Sequence, residues 1–364
     1  MSINRILLAG AAGVSGSDTR NYSLYESVDA SNIFLRYGTI DVNTGTSSEE
    51  GFINIATPIT GYTLRTDTCR HNGYLGYQSR YGFFIFNEST GSEVGSKKNS
   101  SYLIQNTGVT MCVVDDFIIG IEPYNTNNFR VWKFNTTDET FTTVYSGYSP
   151  SLKVFGVSNF NSGHFGLTYI NSSNYDQIDK FNVSTNARTS LHTGSFTFTT
   201  SYPHSVRVAP LNDTDYIIAY KQNVTNYYLV AKDFATNTFK KSATITAQYG
   251  TSGKLNYGTQ FDRGDSSSYL SFGWNTLPTV NMSSIVQRDT TLTNFRVFQG
   301  LIGYSGGFPY NSGIYPGATI GPSHLYNNIF INTFGAIFDA STLESIGTLN
   351  TNSSSPNGIF ISKV

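Results

Sequence analysis

The side-chain types that carry chemistry are present in this chain, but their spacing argues against most reactions. Five histidines, His71, His164, His192, His204 and His324, lie far apart, whereas metal ligands usually come a few residues from one another. His71, His164 and His324 fall at or near recurring turns. Cys69 and Cys112 are too few for a disulfide framework or a cysteine-rich metal site and are expected to be buried thiols. Asp115-Asp116 has the look of a carboxylate pair, yet adjacent strand residues point to opposite faces, so the pair reads as a turn. Gly303-Tyr304-Ser305-Gly306-Gly307 has the letters of a hydrolase nucleophile elbow. That motif needs a strand before it and a helix after it, and here Pro309 and further glycines follow. Arg263-Gly264-Asp265 fills a turn before Tyr269. No catalytic residue, metal site or cofactor is assigned.

A different chemistry is better represented. Aromatic rings beside Asn amides suit stacking on, and hydrogen bonding to, a sugar. They gather in segments that read as irregular loops: Tyr124 in Glu122 to Asn125, Tyr175 after Asn171 to Asn174, and Trp274 in Trp274 to Leu277. The longest such segment, Leu301 to Gly317, carries Tyr304, Phe308, Tyr310 and Tyr315. These seven are the candidate ligand-binding residues. The competing reading is abundance, since the chain holds 25 Tyr and 26 Phe.

Those loops need a scaffold, and the composition indicates its class. Charged residues are 13% of the chain and hydrophobic ones 38%, both below the usual shares of about 25% and roughly 45–50%. Asn, Ser, Thr and Gly take up the difference. Tyr, Phe, Thr and Ile favour strands, so the chain reads as nearly all β. A net charge of −1 with 23 Lys and Arg gives no basic footprint for nucleic acid. The apolar run Ile6 to Ala12 is far short of the roughly 20 residues that span a bilayer.

The decisive feature is a repeat. Asp or Asn followed within a few residues by Thr recurs at Asp41, Asn87, Asn135, Asn182, Asp233, Asp289 and Asp339, at intervals of 46, 48, 47, 51, 56 and 50. Such a residue bonds the backbone two positions ahead and nucleates a hairpin. Upstream of each copy a turn residue precedes an aromatic or Ile, as in Asn32-Ile33, Gly73-Tyr74, Asp116-Phe117 and Asp215-Tyr216. A further apolar stretch precedes this second marker in most units. Each unit is therefore expected to hold four strands.

In period and strand count the chain resembles the β-propeller architecture, without a repeated Trp-Asp ending, Gly-Gly doublet or sialidase-type Asp-box. The resemblance implies an all-β fold of seven four-stranded antiparallel blades. Gly358-Ile359-Phe360-Ile361 is expected to complete the first blade and so join the chain ends. Residues 21–364 form the propeller in this reading, and residues 1–20 an arm or extra strand. The segment Ile6 to Gly13 resembles the start of some tailed-bacteriophage virion proteins. The function expected from this resemblance and from the composition is a non-enzymatic module of a virion. It would serve in assembly or host-surface recognition, with other virion proteins or a host glycan as partner and a homo-oligomer as a further option. The alternatives are a secreted, extracellular lectin and a glycoside-active propeller enzyme with two or three carboxylates at the central channel.

Overall fold

The computed structural model describes residues 19–27, 32–41, 44–56, 67–104, 109–161, 163–193, 206–210, 214–221, 226–246, 254–255, 269–277, 280–288, 295–300, 324–326, 329–331, 336–339, 345–349 and 356–363. Their strands form seven four-stranded antiparallel sheets. Blade 1 combines β1 (Thr19–Ser27), β2 (Asn32–Asp41) and β3 (Ser47–Ala56) with a strand from the far end of the chain. Blade 2 is β4 (Asp67–His71), β5 (Tyr74–Ser79), β6 (Gly82–Asn87) and β7 (Glu93–Lys98). Blade 3 is β8 (Cys112–Val114), β9 (Phe117–Pro123), β10 (Asn128–Asn135) and β11 (Thr140–Tyr148). Blade 4 is β12 (Val154–Asn161), β13 (His164–Ile170), β14 (Asp176–Asn182) and β15 (Arg188–Thr193). Blade 5 is β16 (Val206–Pro210), β17 (Asp215–Lys221), β18 (Asn226–Asp233) and β19 (Phe239–Thr246). Blade 6 is β20 (Lys254–Leu255), β21 (Tyr269–Leu277), β22 (Val280–Arg288) and β23 (Phe295–Gly300). Blade 7 is β24 (His324–Tyr326), β25 (Ile329–Ile331), β26 (Ala336–Asp339) and β27 (Ser345–Thr348), and the chain ends in β28 (Pro356–Lys363).

β28 pairs antiparallel with β1, with Tyr22 opposite Ile361 and Ser23 opposite Phe360, so the C-terminal strand completes blade 1. The first strands touch in sequence round the axis. β28 meets β4, β4 meets β8, β8 meets β12, β12 meets β16, and β24 returns to β28. Contacts of β17 with β20 and of β21 with β24 close the circle. This is a seven-bladed propeller.

Six of the repeated Asp or Asn residues end the third strand of their blade, Asp289 lying outside the described residues, and Asn87, Asn135, Asn182 and Asp233 build the predicted turn. The Asn182 Oδ1 accepts from the Ser184 N–H at 3.0 Å and the Thr185 N–H at 2.9 Å. Asp233 does the same with Ala235 and Thr236, and Asn87 with Ser89 and Thr90. Four residues past the Asx position the backbone turns left-handed, at Gly45, Gly91, Glu139, Asn186 and Asn237. Gly and Asn tolerate that conformation best. The residue after the Asx position donates to the turn between the first two strands in four consecutive blades. The bonds are Glu88 to Gly73, Thr136 to Asp116, Val183 to Gly163 and Phe234 to Thr214, at 2.7–3.0 Å. This face is regular because one bond is repeated.

The second marker opens the second strand in six blades, but in blade 1 Asn32-Ile33 opens β2, the third. There the inner strand arrives from the other end of the chain, so β1 already fills the second place. Between neighbouring blades lie separate apolar clusters. Leu35, Leu75 and Phe84 pack between blades 1 and 2, and Cys69, Phe83, Met111 and Phe134 between blades 2 and 3. Val131, Val154, Phe165 and Phe181 pack between blades 3 and 4, and Phe160, Leu191 and Tyr216 between blades 4 and 5. Each buried Phe contributes about 2–3 kcal/mol, gained only when the next blade is in place.

Candidate functional site at the channel mouth

Every inner strand runs from the face bearing the inter-blade connections to the regular face. The mouth of the channel on the loop-bearing face is therefore ringed by the starts of β28, β4, β8, β12, β16, β20 and β24. At that level β12 and the segment before β8 come into direct contact. Thr110 pairs in parallel with Gly156, and the Thr110 Oγ1 donates to the Val157 carbonyl at 2.6 Å. A Cβ on Gly156, whose φ is +127°, would stand 2.1 Å from that Oγ1.

Asp67 begins β4 at this mouth and, among the described residues, is the one carboxylate in the seven inner strands. It is 1% exposed. Its Oδ2 accepts from the Met111 N–H of the next blade at 2.9 Å, and its Oδ1 from the Thr68 N–H at 3.0 Å. Burial pushes its pKa up to about 7, although both backbone bonds favour the charged form. Opposite Asp67 on β5, Gln78 ties blade 2 to blade 3. Its Oε1 accepts from the Ile121 N–H at 2.8 Å and its Nε2 donates to the Ile121 carbonyl at 2.9 Å.

Cys69 and Cys112 are both buried free thiols. Burial raises both pKa values well above the usual range, so neither is a thiolate nucleophile near neutral pH. Burial also lowers His71 and His192. Asp115 and Asp116 form the turn between β8 and β9, with Asp115 left-handed at φ +50°. Their role is structural, as their position in the repeat predicts. His324 begins the inner strand β24 and so belongs to the mouth end, not to the regular face.

Two carboxylate networks escaped the sequence reading. The Asp179 Oδ2 accepts from the Tyr169 hydroxyl and the Arg188 Nε, both at 3.0 Å, and its Oδ1 from the Gln177 Nε2 at 2.7 Å. The hydroxyl of Tyr145, from blade 3, stands 3.4 Å from that of Tyr169. Arg70 binds Glu88 and Glu50, donates to the Gly38 carbonyl at 2.8 Å, and stacks over Tyr37. Both networks bridge blades and satisfy their charges internally, which makes them structural. Only the alternation of polar residues in Gln177-x-Asp179 hinted at either.

Of the predicted binding residues, Tyr304, Phe308, Tyr310 and Tyr315 lie outside the described residues. Tyr124 and Tyr175 are in connections between second and third strands, on the loop-bearing face. Tyr124 is 45% exposed, with the Arg130 guanidinium 3.6 Å from its ring centroid. Tyr175 is half-buried, in a tight turn where the Asn171 Oδ1 accepts from the Ser173 and Tyr175 N–H groups. Trp274 is on strand β21 opposite Met282, not in a loop. A register shift between Asn275 and Leu277 lets pairing continue to the end of the strand.

No family model and no curated protein matches the chain. Solved structures do. A candidate 6-phosphogluconolactonase from Bacteroides fragilis matches with a TM-score of 0.56 at 11% identity, covering 94% of this chain and 98% of that one. A candidate 6-phosphogluconolactonase from Bacteroides uniformis matches with a TM-score of 0.58 at 10% identity, covering 94% and 99%. What is shared is the fold. The expectation of a non-enzymatic virion module is corrected here, because these structures are described as lactonases, which are enzymes, and neither is described as a virion part. The compositional bias behind that expectation has a structural origin: the Asn, Ser and Thr build the repeated turns.

Proposed function

We propose that this protein is a propeller hydrolase that opens a lactone or related ester of a sugar acid at the channel mouth, with Asp67 as general base. The observation that carries the reading is Asp67 itself. A carboxyl with a pKa of about 7, at the loop-bearing end of an inner strand, is suited to exchanging a proton near neutral pH. In the reaction Asp67 takes a proton from water as the water oxygen bonds to the carbonyl carbon. The ring C–O bond then breaks, the ring oxygen takes the proton back from Asp67, and the carboxylic acid so formed releases its own proton to solvent and leaves as a carboxylate. Asp67 is 1% exposed, so in this reading water and substrate reach it only through the mouth. Tyr304, Phe308, Tyr310 and Tyr315 in the connection between blades 6 and 7 would supply stacking surface for the sugar ring.

The lactonase descriptions of the two structures that share the fold support this reading. Glycoside hydrolysis fits less well, because it uses two carboxylates flanking the bond and the described inner strands offer Asp67 alone. The test is hydrolysis of gluconolactone and 6-phosphogluconolactone, followed by proton release, with wild type and Asp67→Asn. The expected result is turnover of at least one lactone, falling by about 100-fold or more in the variant. Wild type with no activity above spontaneous hydrolysis would overturn the reading.

A further inference from the structure

At the loop-bearing end of blade 3, one row of the sheet sets two exposed tyrosines on the same side. The Tyr124 N–H donates to the Asn128 carbonyl at 2.8 Å, and Asn128 pairs with Tyr148 on β11. Cross-strand partners point to one face, so Tyr124, Asn128 and Tyr148 share a side, the outer two about 10 Å apart at the backbone. The next row on that side is Glu122, Arg130 and Ser146, and the one after it holds Trp132. The side-chain contacts agree with this register. The Arg130 guanidinium stands 3.6 Å from the Tyr124 ring centroid, and the Trp132 Nε1 donates to the Glu122 Oε2 at 2.8 Å. Phe129 and Val131 alternate to the other face, into the cluster between blades 3 and 4.

This side looks towards blade 2. The Lys97 Nζ of β7 lies 4.6 Å from the Trp132 ring centroid, and the Asn99 Nδ2 donates to the Tyr124 carbonyl at 3.0 Å. Trp132 is half-buried, but Tyr124 and Tyr148 are each 45% exposed. Phe52, Phe239 and Ile346, the other exposed large apolar side chains among the described residues, lie on the outermost strands of three different blades. The turn beside the two rings is fixed in advance. The Asn125 Oδ1 accepts from the Asn127 and Asn128 N–H groups and the Asn128 Nδ2 at 2.9–3.1 Å, and the Asn127 Oδ1 from the Ser151 N–H at 2.9 Å. The amide nitrogens of Asn125 and Asn127 make no hydrogen bond among the described residues. A surface already ordered loses little freedom when a ligand arrives.

Tyrosine rings stack on the apolar face of a sugar ring, while amide and guanidinium groups bond its hydroxyls. A proline-rich peptide docks in an aromatic-lined groove, but here Asn128 lies between the two rings and Arg130 and Ser146 line the next row. We infer that Tyr124, Tyr148, Arg130 and the turn 125–128 form a carbohydrate-binding site on the rim between blades 2 and 3, taking an oligosaccharide long enough to reach both rings. The site is separate from Asp67 at the channel mouth and does not depend on the hydrolase reading.

The experiment is binding of the labelled full chain to an array of oligosaccharides, polysaccharides and proline-rich peptides. Calorimetric titration with the best-bound oligosaccharide and its component monosaccharides follows. The variants are Tyr124→Ala and Tyr148→Ala, with Phe239→Ala on the outermost strand of blade 5 as control. Wild type and control should bind at least one oligosaccharide, about ten-fold or more tightly than its monosaccharides, and each tyrosine variant should lose about ten-fold or more. Four results would overturn the inference: no glycan bound by wild type, peptides captured in place of glycans, equal affinity for the monosaccharides, or unchanged affinity in both tyrosine variants. Should the variants fail to fold, hydrogen exchange of the wild type with the bound oligosaccharide decides. Protection at residues 124–128 and 146–148 supports the site, and protection confined to the inner strands would move the sugar to the channel and overturn it.

Discussion

Asp67 holds its proton in the folded protein to about pH 7, whereas the same carboxyl in an unfolded chain releases it near 3.8. The folded state therefore binds the extra proton between those values, and stability falls as pH rises through that window. It is fully present below pH 4 and its loss is complete above about pH 7. Thermal unfolding of wild type and Asp67→Asn from pH 4 to 8 should diverge. Wild type should lose on the order of 2–4 kcal/mol relative to the variant, and parallel curves would refute the assignment. The same residue shows why sites are hard to read from a sequence. Asp67 follows a stretch with no motif, and its perturbed proton affinity comes from burial between blades 2 and 3, which no local pattern records.

At the scale of the element, the turn after each third strand depends on one side-chain oxygen. Asn182 accepts three hydrogen bonds through Oδ1, two from backbone N–H groups and one from the Thr185 hydroxyl. Asn182→Ala should cost about 1–2 kcal/mol in urea unfolding, while Asn182→Asp, which keeps the acceptor, should stay within about 0.5 kcal/mol. An equal loss in both would mean that the turn is held by its flanking strands. These turns were fully legible in the sequence because their chemistry is local. Trp274 was not: its neighbours Asn275 and Thr276 look like loop residues, but the pairing of β21 with β22 carries them into the sheet.

The whole molecule is closed by one non-local pairing, β28 with β1. Removing residues 356–364 would leave blade 1 with three strands and expose unpaired edges on β1 and, towards the axis, the flanks of β4 and β24. The truncated chain should lose its single cooperative unfolding transition and self-associate through the open edge, as read by calorimetry and light scattering. A monomer with an unchanged midpoint would show that closure adds little stability. The blade networks at Arg70 and Asp179 belong to this scale too. Each gathers residues from two blades, with Arg70 reaching Glu50 20 positions back in the chain and Glu88 18 positions ahead.

Residue types and their spacing were enough for every feature whose physics is short-range. The Asx turns, the four-strand unit, the count of seven and the strand that joins the ends all follow from residue types repeated at a near-constant interval. Features that need residues far apart in the chain to meet round an axis came from the fold. It buried Asp67 between blades 2 and 3, which raised its pKa, and set its carboxylate against the Met111 N–H of the next blade. The two residues lie 44 positions apart in the chain. The packing of one blade on the next, rather than any local pattern, makes them neighbours.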